Sequence, residues 1–116
     1  GFAQAGAAGA LEQGEPVVES IRERCRAGRD IAYEYLGGHN RFELGARPRG
    51  GMYVFFSLRG ENDAMAACAR LLREARVGLA PGHLFGEPAR RFMRMCVLRD
   101  ADQIRSACSR IADAFA

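Results

Sequence analysis

The chain has 116 residues, of which 48% are hydrophobic and 27% charged, and all 17 of its basic residues are arginine. With no lysine, it carries no Schiff-base lysine, no P-loop lysine, no kinase-type phosphate-anchoring lysine and no lysine general base. The net charge of +3 comes from basic residues interleaved with acids, as in Glu19, Arg22, Glu23 and Arg24. That is the pattern of solvated helix faces rather than of a nucleic-acid stripe.

The length favours one domain, which at this size buries roughly two-thirds of its unfolded surface. No stretch approaches the ~18 apolar residues of a membrane span, and the opening GFAQAGAAGALEQGEP lacks the charged region and long apolar run of a signal peptide. A soluble, cytoplasmic protein is the expectation. Cys25, Cys68, Cys96 and Cys108 form no C-x-x-C pair and have only His39 and His83 to help them. They read as four reduced, mostly buried thiols, not as a metal site or disulfide framework.

In chain order, residues 1–14 are Ala/Gly-rich and have little to bury, so they read as the remnant of a preceding helix or linker. From Glu15 the pattern turns helical. Pro16 suits a first turn, and Val17, Ile21, Cys25, Gly28, Ala32 and Tyr35 recur at helical spacing up to Gly37-Gly38. The segment from His39 to Gly51 is a loop with room for one short strand at Phe42–Leu44. Residues 52–58, MYVFFSL, are apolar on both alternating faces, which predicts a central strand covered on both sides.

Asn62 or Asp63 can cap a second helix with a stripe of Met65, Cys68, Leu71, Leu72 and Ala75. Val77–Ala80 predicts a short strand stopped by Pro81-Gly82. After the turn-rich HLFGEPARR, residues 92–98 predict a third strand. Asp100 and Gln103 resemble a capping box opening a last helix with Ile104, Cys108, Ile111 and Phe115 inward. The expected fold is α+β: a small, mainly antiparallel sheet of about three strands against helices, preceded by a long helix, with residues 15–116 as the domain. His39 and His83 fall in loops as solvent-facing or capping residues, and Met52, Met65, Met93 and Met95 read as core filler.

Arg94 breaks the pattern. It sits in an apolar strand between Met93 and Met95, sharing a face with Phe92 and Cys96. A guanidinium there needs acceptors for its five donors, and its planar fork matches a carboxylate or phosphate. Either an acid of this chain or an external anion supplies them, and the strand pattern weighs the two equally. The Pro81-Gly82-x-x-Phe85-Gly86 loop brings flexible backbone towards the same strand.

The run VGLAPGHLFGEPARRFMR resembles the segment of class I/II, fold type I, pyridoxal phosphate-dependent aminotransferases that reads V-x-x-x-P-G-x-x-F-G. In that segment an arginine follows eight residues after the last glycine, as Arg94 follows Gly86. Collinear similarities reinforce it: Ala3-Gln4 and Ala10-Leu11 with Q-x-A…A-L, Gly28-Arg29-Asp30 with R-R-D of the helix joining the two domains, and Pro48-x-Gly50-Gly51-Met52-Tyr53 with the P-x-G motif opening a strand. Departures are Ala89 and Arg91 where the family prefers glycine, and Gly28 for the first arginine of R-R-D.

The resemblance implies that Arg94 binds the α-carboxylate of an amino-acid or 2-oxo-acid substrate through a bidentate pair. It implies that the Schiff-base lysine, the aspartate on the pyridine nitrogen and the phosphate-binding groups lie in a preceding large domain. The chain would then be the C-terminal small domain of such an enzyme. Pyridoxal 5'-phosphate would belong to the full-length protein, which is expected to be a homodimer. In this chain no catalytic, cofactor-binding or metal-ligating residue is expected, and neither nucleic acid nor membrane is an expected partner. Arg90-Arg91 could steer a second acidic group, or be solvated charges.

Two rival readings come from other classes. Arg49–Phe56 partly matches an RNA-recognition signature, R-G-[FY]-[GA]-F-V-x-[FY], but Gly51 and Met52 fail it and a core strand explains the same aromatics more cheaply. A stand-alone carboxylate-binding domain using Arg94 is the other.

Overall fold

A computed structural model describes all residues, 1–116. The chain runs α1 (Phe2–Gln13), α2 (Glu15–Gly37), β1 (Phe42–Leu44), β2 (Tyr53–Leu58), α3 (Ala64–Glu74), β3 (Ala80–Pro81), two short 3-10 turns at 82–85 and 87–89, β4 (Phe92–Cys96) and α4 (Ala101–Ala114). The strands form one antiparallel sheet in the order β1-β2-β4-β3. The sheet therefore has four strands rather than about three. Phe42–Leu44 contributes a full strand, and the segment expected at Val77–Ala80 shrinks to Ala80–Pro81, because Gly78 and Pro81 leave few residues that can hold a ladder.

The helices owe their positions to one apolar stripe each. In α2 the buried residues are Gly28, Ile31, Ala32 and Leu36, so the inward face lies one residue beyond Tyr35, which is exposed. The first half of α2, with Val17, Val18 and Ile21, projects with α1 away from the core; α1 buries no residue. Helix α3 opens on Asp63, whose Oδ1 accepts from the Met65 amide at 2.9 Å, satisfying one of the first-turn donors. Its buried side is Ala64, Ala67, Cys68 and Leu71, while Met65 and Leu72 face solvent. In α4, Ile104, Cys108, Ile111 and Phe115 are buried as their spacing predicts. The expected capping box does not form: Asp100 makes no side-chain cap bond, and its Oδ1 instead accepts from Arg24 Nη2 at 3.3 Å.

The core is a single cluster that joins these stripes to Val54, Phe56 and Leu58 of β2 and Met93 and Met95 of β4. Full burial of each large aliphatic side chain there, such as Leu71 or Ile104, stabilises the fold by about 2 kcal/mol. The sheet is thus covered by helices on one face only, which corrects the reading of β2 as a strand covered on both sides. Tyr53 and Cys96 on the other face are exposed, and Phe55, Phe92 and Arg94 are half-buried. Met93 and Met95 fill the core, but Met52 and Met65 do not. Among the cysteines, Cys68 and Cys108 are buried, Cys25 is half-buried and Cys96 is exposed, so the expectation of mostly buried thiols holds for only part of the set.

Helix α2 crosses the end of β4 so closely that a Cβ at Gly28 would collide with the Val97 carbonyl. Glycine at this position lets the helix and the end of the strand approach this closely. Gly28→Ala is expected to destabilise the fold by about 1–3 kcal/mol through forced separation of helix and strand, read as a lower urea midpoint with an unchanged slope.

Burial raises the Cys68 thiol from 9.0 to about 11 and the Cys108 thiol from 9.0 to about 12. Both stay protonated in the folded chain at pH values where the unfolded chain has lost the proton. The folded state then binds more protons than the unfolded, so the contribution of these two thiols to stability is complete below pH 9 and is lost as the pH rises from 9 towards 11 and 12. Iodoacetamide at neutral pH is expected to alkylate Cys96 first and to leave Cys68 and Cys108 unmodified until denaturant unfolds the chain, as peptide mass mapping would record.

Candidate functional site

Arg94 lies at the centre of the sheet face that the helices leave open. The register of β2 and β4 sets Phe55 opposite Arg94 and Tyr53 opposite Cys96, which places Tyr53 diagonally beside Arg94 on the same face. On the other side of Arg94, β3 pairs Ala80 with it. The chain then leaves β3 through Pro81 into the 3-10 turn at 82–85.

The loop after β3 is shaped by two glycines. A Cβ at Gly82 would fall on the carbonyl oxygens of Ala89 and Phe92, so glycine lets the start of the loop pass directly beneath its end. Gly86 has φ 108° and ψ 160°, a conformation open essentially to glycine alone. Together they fold residues 82–89 back over β4 and set Phe85 above the strand. Its ring meets Phe55 edge-on at 5.7 Å.

The result is an aromatic clamp. The Arg94 guanidinium carbon lies 4.0 Å from the Tyr53 ring centroid and 4.2 Å from that of Phe85. Both distances are well inside the range for cation–π attraction. Among the chain's ion pairs and side-chain hydrogen bonds there is none to Arg94. Of the two sources of an acceptor that the strand pattern left open, the chain's own acids do not serve. What remains is a permanently charged donor fork whose N–H edges have no acceptor in the protein, the geometry that a planar carboxylate fits in bidentate fashion.

The neighbouring arginines are committed elsewhere. Arg91 Nη1 pairs with Glu43 Oε2 at 2.8 Å and its guanidinium lies 5.0 Å from the Phe92 ring. Arg90 sits 3.5 Å from Glu87. Arg91 thus ties β1 to the start of β4 rather than standing free for a second acidic group. Arg29 donates to the Pro48 carbonyl at 3.0 Å and pairs with Asp30 at 2.8 Å, and Arg47 joins the same carboxylate at 3.2 Å. This Arg29–Asp30–Arg47 group anchors the loop leading to β2. Tyr33 assists by donating towards the Gly45 and Ala46 carbonyls, each at 3.0 Å. His39 accepts from the Arg41 amide at 3.2 Å, and His83 is exposed.

A second concavity, lined by Arg22, Arg26, Arg29, Arg49, Ile21, Cys25 and Met52, lies between α2 and the start of β2. It shares no residue with the Arg94 clamp.

The sequence matches the family described as aminotransferase class I and II over residues 1–111. An arginine–pyruvate transaminase, AruH, of Pseudomonas aeruginosa is 36% identical over 96% of this chain and 28% of its own length. A glutamate–pyruvate aminotransferase, AlaC, of Escherichia coli is 30% identical over 97% of this chain and 27% of its own. Among solved structures, a Pyrococcus protein designated protein-A1 superimposes with a TM-score of 0.83 at 25% identity, covering 94% of this chain and 28% of that one. An aspartate aminotransferase of Rhizobium meliloti gives 0.71 at 25% identity, over 79% of this chain and 25% of its own. The fold is thus that of an α+β segment shared by aminotransferases. The chain belongs to the class I and II aminotransferase family, and spans less than a third of the length of these relatives.

The sequence locates Arg94 but not the rings that hold it. Tyr53 figured as part of a strand, of its P-x-G entry and of a partial RNA-recognition signature, and Phe85 as part of a loop motif, neither as a partner of Arg94. The strand alternation could have put Tyr53 on the face of Arg94 only with the β2–β4 register in hand, and that register is a tertiary property.

Proposed function

We propose that this chain acts as the C-terminal small domain of a pyridoxal phosphate-dependent aminotransferase, with residues 15–116 as the domain and 1–14 as the end of a preceding helix or linker. Arg94 grips the α-carboxylate of the amino-acid or 2-oxo-acid substrate. The observation that carries this reading is a half-buried guanidinium, clamped between Tyr53 and Phe85 on the open face of the sheet, without an acid of its own. The family match and the transaminase names of the relatives support the reaction class.

The residues present do not make a cofactor site. Pyridoxal phosphate is held covalently through a side-chain amine, and this sequence has no lysine. When bound in such an enzyme, the cofactor supplies the electron sink for amino-group transfer. In this reading it is held by a large domain in the same protein, and the enzyme works as a homodimer. The contribution of the present chain is positioning. A bidentate pair fixes the substrate carboxylate in plane, so that the amino group is presented at one distance and angle. Movement of the small domain over the substrate then excludes water.

Carboxylate binding of this kind does not need the whole aromatic surface of β2. Gly51 stands where the RNA-recognition signature has an aromatic, and the exposed Tyr53 packs against the Arg94 guanidinium, which favours the aminotransferase reading over an RNA-binding one.

In the full-length enzyme, Arg94→Leu is expected to lower kcat/KM for amino-acid donors by about a hundredfold or more, corresponding to roughly 3 kcal/mol of charge-assisted hydrogen bonding. Arg94→Lys, which keeps the charge but loses the fork, should fall between. Unchanged kcat/KM in Arg94→Leu would refute the carboxylate anchor. The isolated 116-residue chain is expected to take up no pyridoxal phosphate that survives dialysis, as visible absorbance would report, and to show no transaminase activity.

A further inference from the structure

We infer that Phe85 and Tyr53 are positioning residues that pre-set Arg94 for edge-on capture of a carboxylate, and that the 82–86 loop thereby helps to set affinity for the substrate. The inference rests on the carboxylate-anchor reading of Arg94 and adds to it a role for two side chains that do not touch the substrate's reacting atoms. Three observations carry it. The guanidinium carbon is 4.0 Å from one ring centroid and 4.2 Å from the other. The two rings come from separate parts of the chain, β2 and the 3-10 turn at 82–85. Phe85 is itself braced by Phe55 at 5.7 Å.

A flexible arginine pays rotamer entropy when it captures a ligand, because long side chains lose that freedom on immobilisation. Here the stacking removes the freedom beforehand. The two rings also take part of the guanidinium surface out of water, and the residue is half-buried. Its N–H donors meet no acceptor in the chain and stay open to a carboxylate, which makes two parallel hydrogen bonds to the edge of such a fork. The contacts are to ring centroids and no hydrogen bond joins either side chain to Arg94, so the rings hold the cation without occupying its donors. An acidic partner would fix the same side chain equally well but would occupy the donors that the substrate needs.

The clamp also couples the loop to the site. Phe85 keeps its place because Gly82 passes beneath the Ala89 and Phe92 carbonyls and Gly86 turns at φ 108°. Displacement of this loop takes one of the two rings away from the guanidinium.

The test uses the full-length holoenzyme and three probes: the most active donor among the common L-amino acids, its decarboxylated amine, and propionate as an inert carboxylate. Phe85→Leu keeps apolar bulk but removes the ring, whereas Phe85→Tyr keeps the ring. Phe85→Leu is expected to raise the Kd for propionate about fivefold and to shrink the preference for amino acid over amine by a similar factor. Phe85→Tyr is expected to stay within about twofold of wild type, and Phe85→Leu with Tyr53→Leu should weaken propionate binding further than either alone.

A purely structural role for Phe85 would lower the melting temperature without changing the amino acid to amine preference, and that result overturns the inference. Unchanged propionate affinity in Phe85→Leu overturns it too. Arg94→Leu, measured alongside, separates the two ideas. If it leaves propionate affinity unchanged, the carboxylate anchor itself fails; if it abolishes binding while Phe85→Leu does not weaken it, only the clamp fails.

Discussion

The register of β2 against β4 is the constraint from which the rest follows. With Phe55 opposite Arg94 and Phe56 opposite Met93, one set of side chains enters the core and the other is left on the open face. Side chains alternate with a period of two residues, so a slip of one residue in β4 would carry Arg94 into the core beside Val54 and Phe56 and expose Met93 and Met95. A buried, unpaired guanidinium costs several kcal/mol, which makes the alternative register strongly unfavourable. The same cation that defines the candidate site therefore also helps to specify the sheet.

The loop between β3 and β4 converts that register into a site. Close passage of backbone at Gly82 and the unusual dihedral angles of Gly86 fold a short connection over its own strand, where a longer or more regular connection would have stood clear of it. Phe85 reaches Arg94 only as a result. Electrostatics are divided accordingly. Arg91, Arg29 and Arg47 are spent on Glu43 and Asp30 and fasten β1 and the loop before β2 to their neighbours, while Arg94 pairs with no acid and rests on aromatic rings instead.

Much of the scaffold was legible in the sequence because local rules dictate it. Pro16 and the glycine pair bounded α2, Asp63 capped α3, and the spacing of Ile104, Cys108, Ile111 and Phe115 gave the inward face of α4. What local patterning misjudged shares one cause, the dependence of burial on what lies opposite. Tyr35, Met65 and Leu72 fit helical stripes by spacing, yet the sheet meets each helix a fraction of a turn away, and the neighbouring Leu36, Ala64 and Leu71 take the buried places. Asp100 is a competent cap by type, but Arg24, distant in sequence, claims its carboxylate. β2 read as buried on both sides because Tyr53 and Phe55 are aromatic; their ring faces serve the guanidinium and Phe85 rather than a second layer of helices. For the site, Arg94 was conspicuous because a charge in an apolar strand violates a local rule, whereas its two rings violate none and were silent.

The borders of the sheet carry a consequence of their own. One border is the three-residue β1 and the other the two-residue β3, which ends in Pro81. An open sheet with aromatic residues on one face invites another chain to add a strand alongside it, the first step towards fibrous aggregates. Here neither border offers a ladder long enough to template that addition, and proline removes a donor from one of them. Lateral growth is blocked by the brevity of the edges, leaving the central strands free to present an apolar and cationic surface without making the protein self-adhesive along its length.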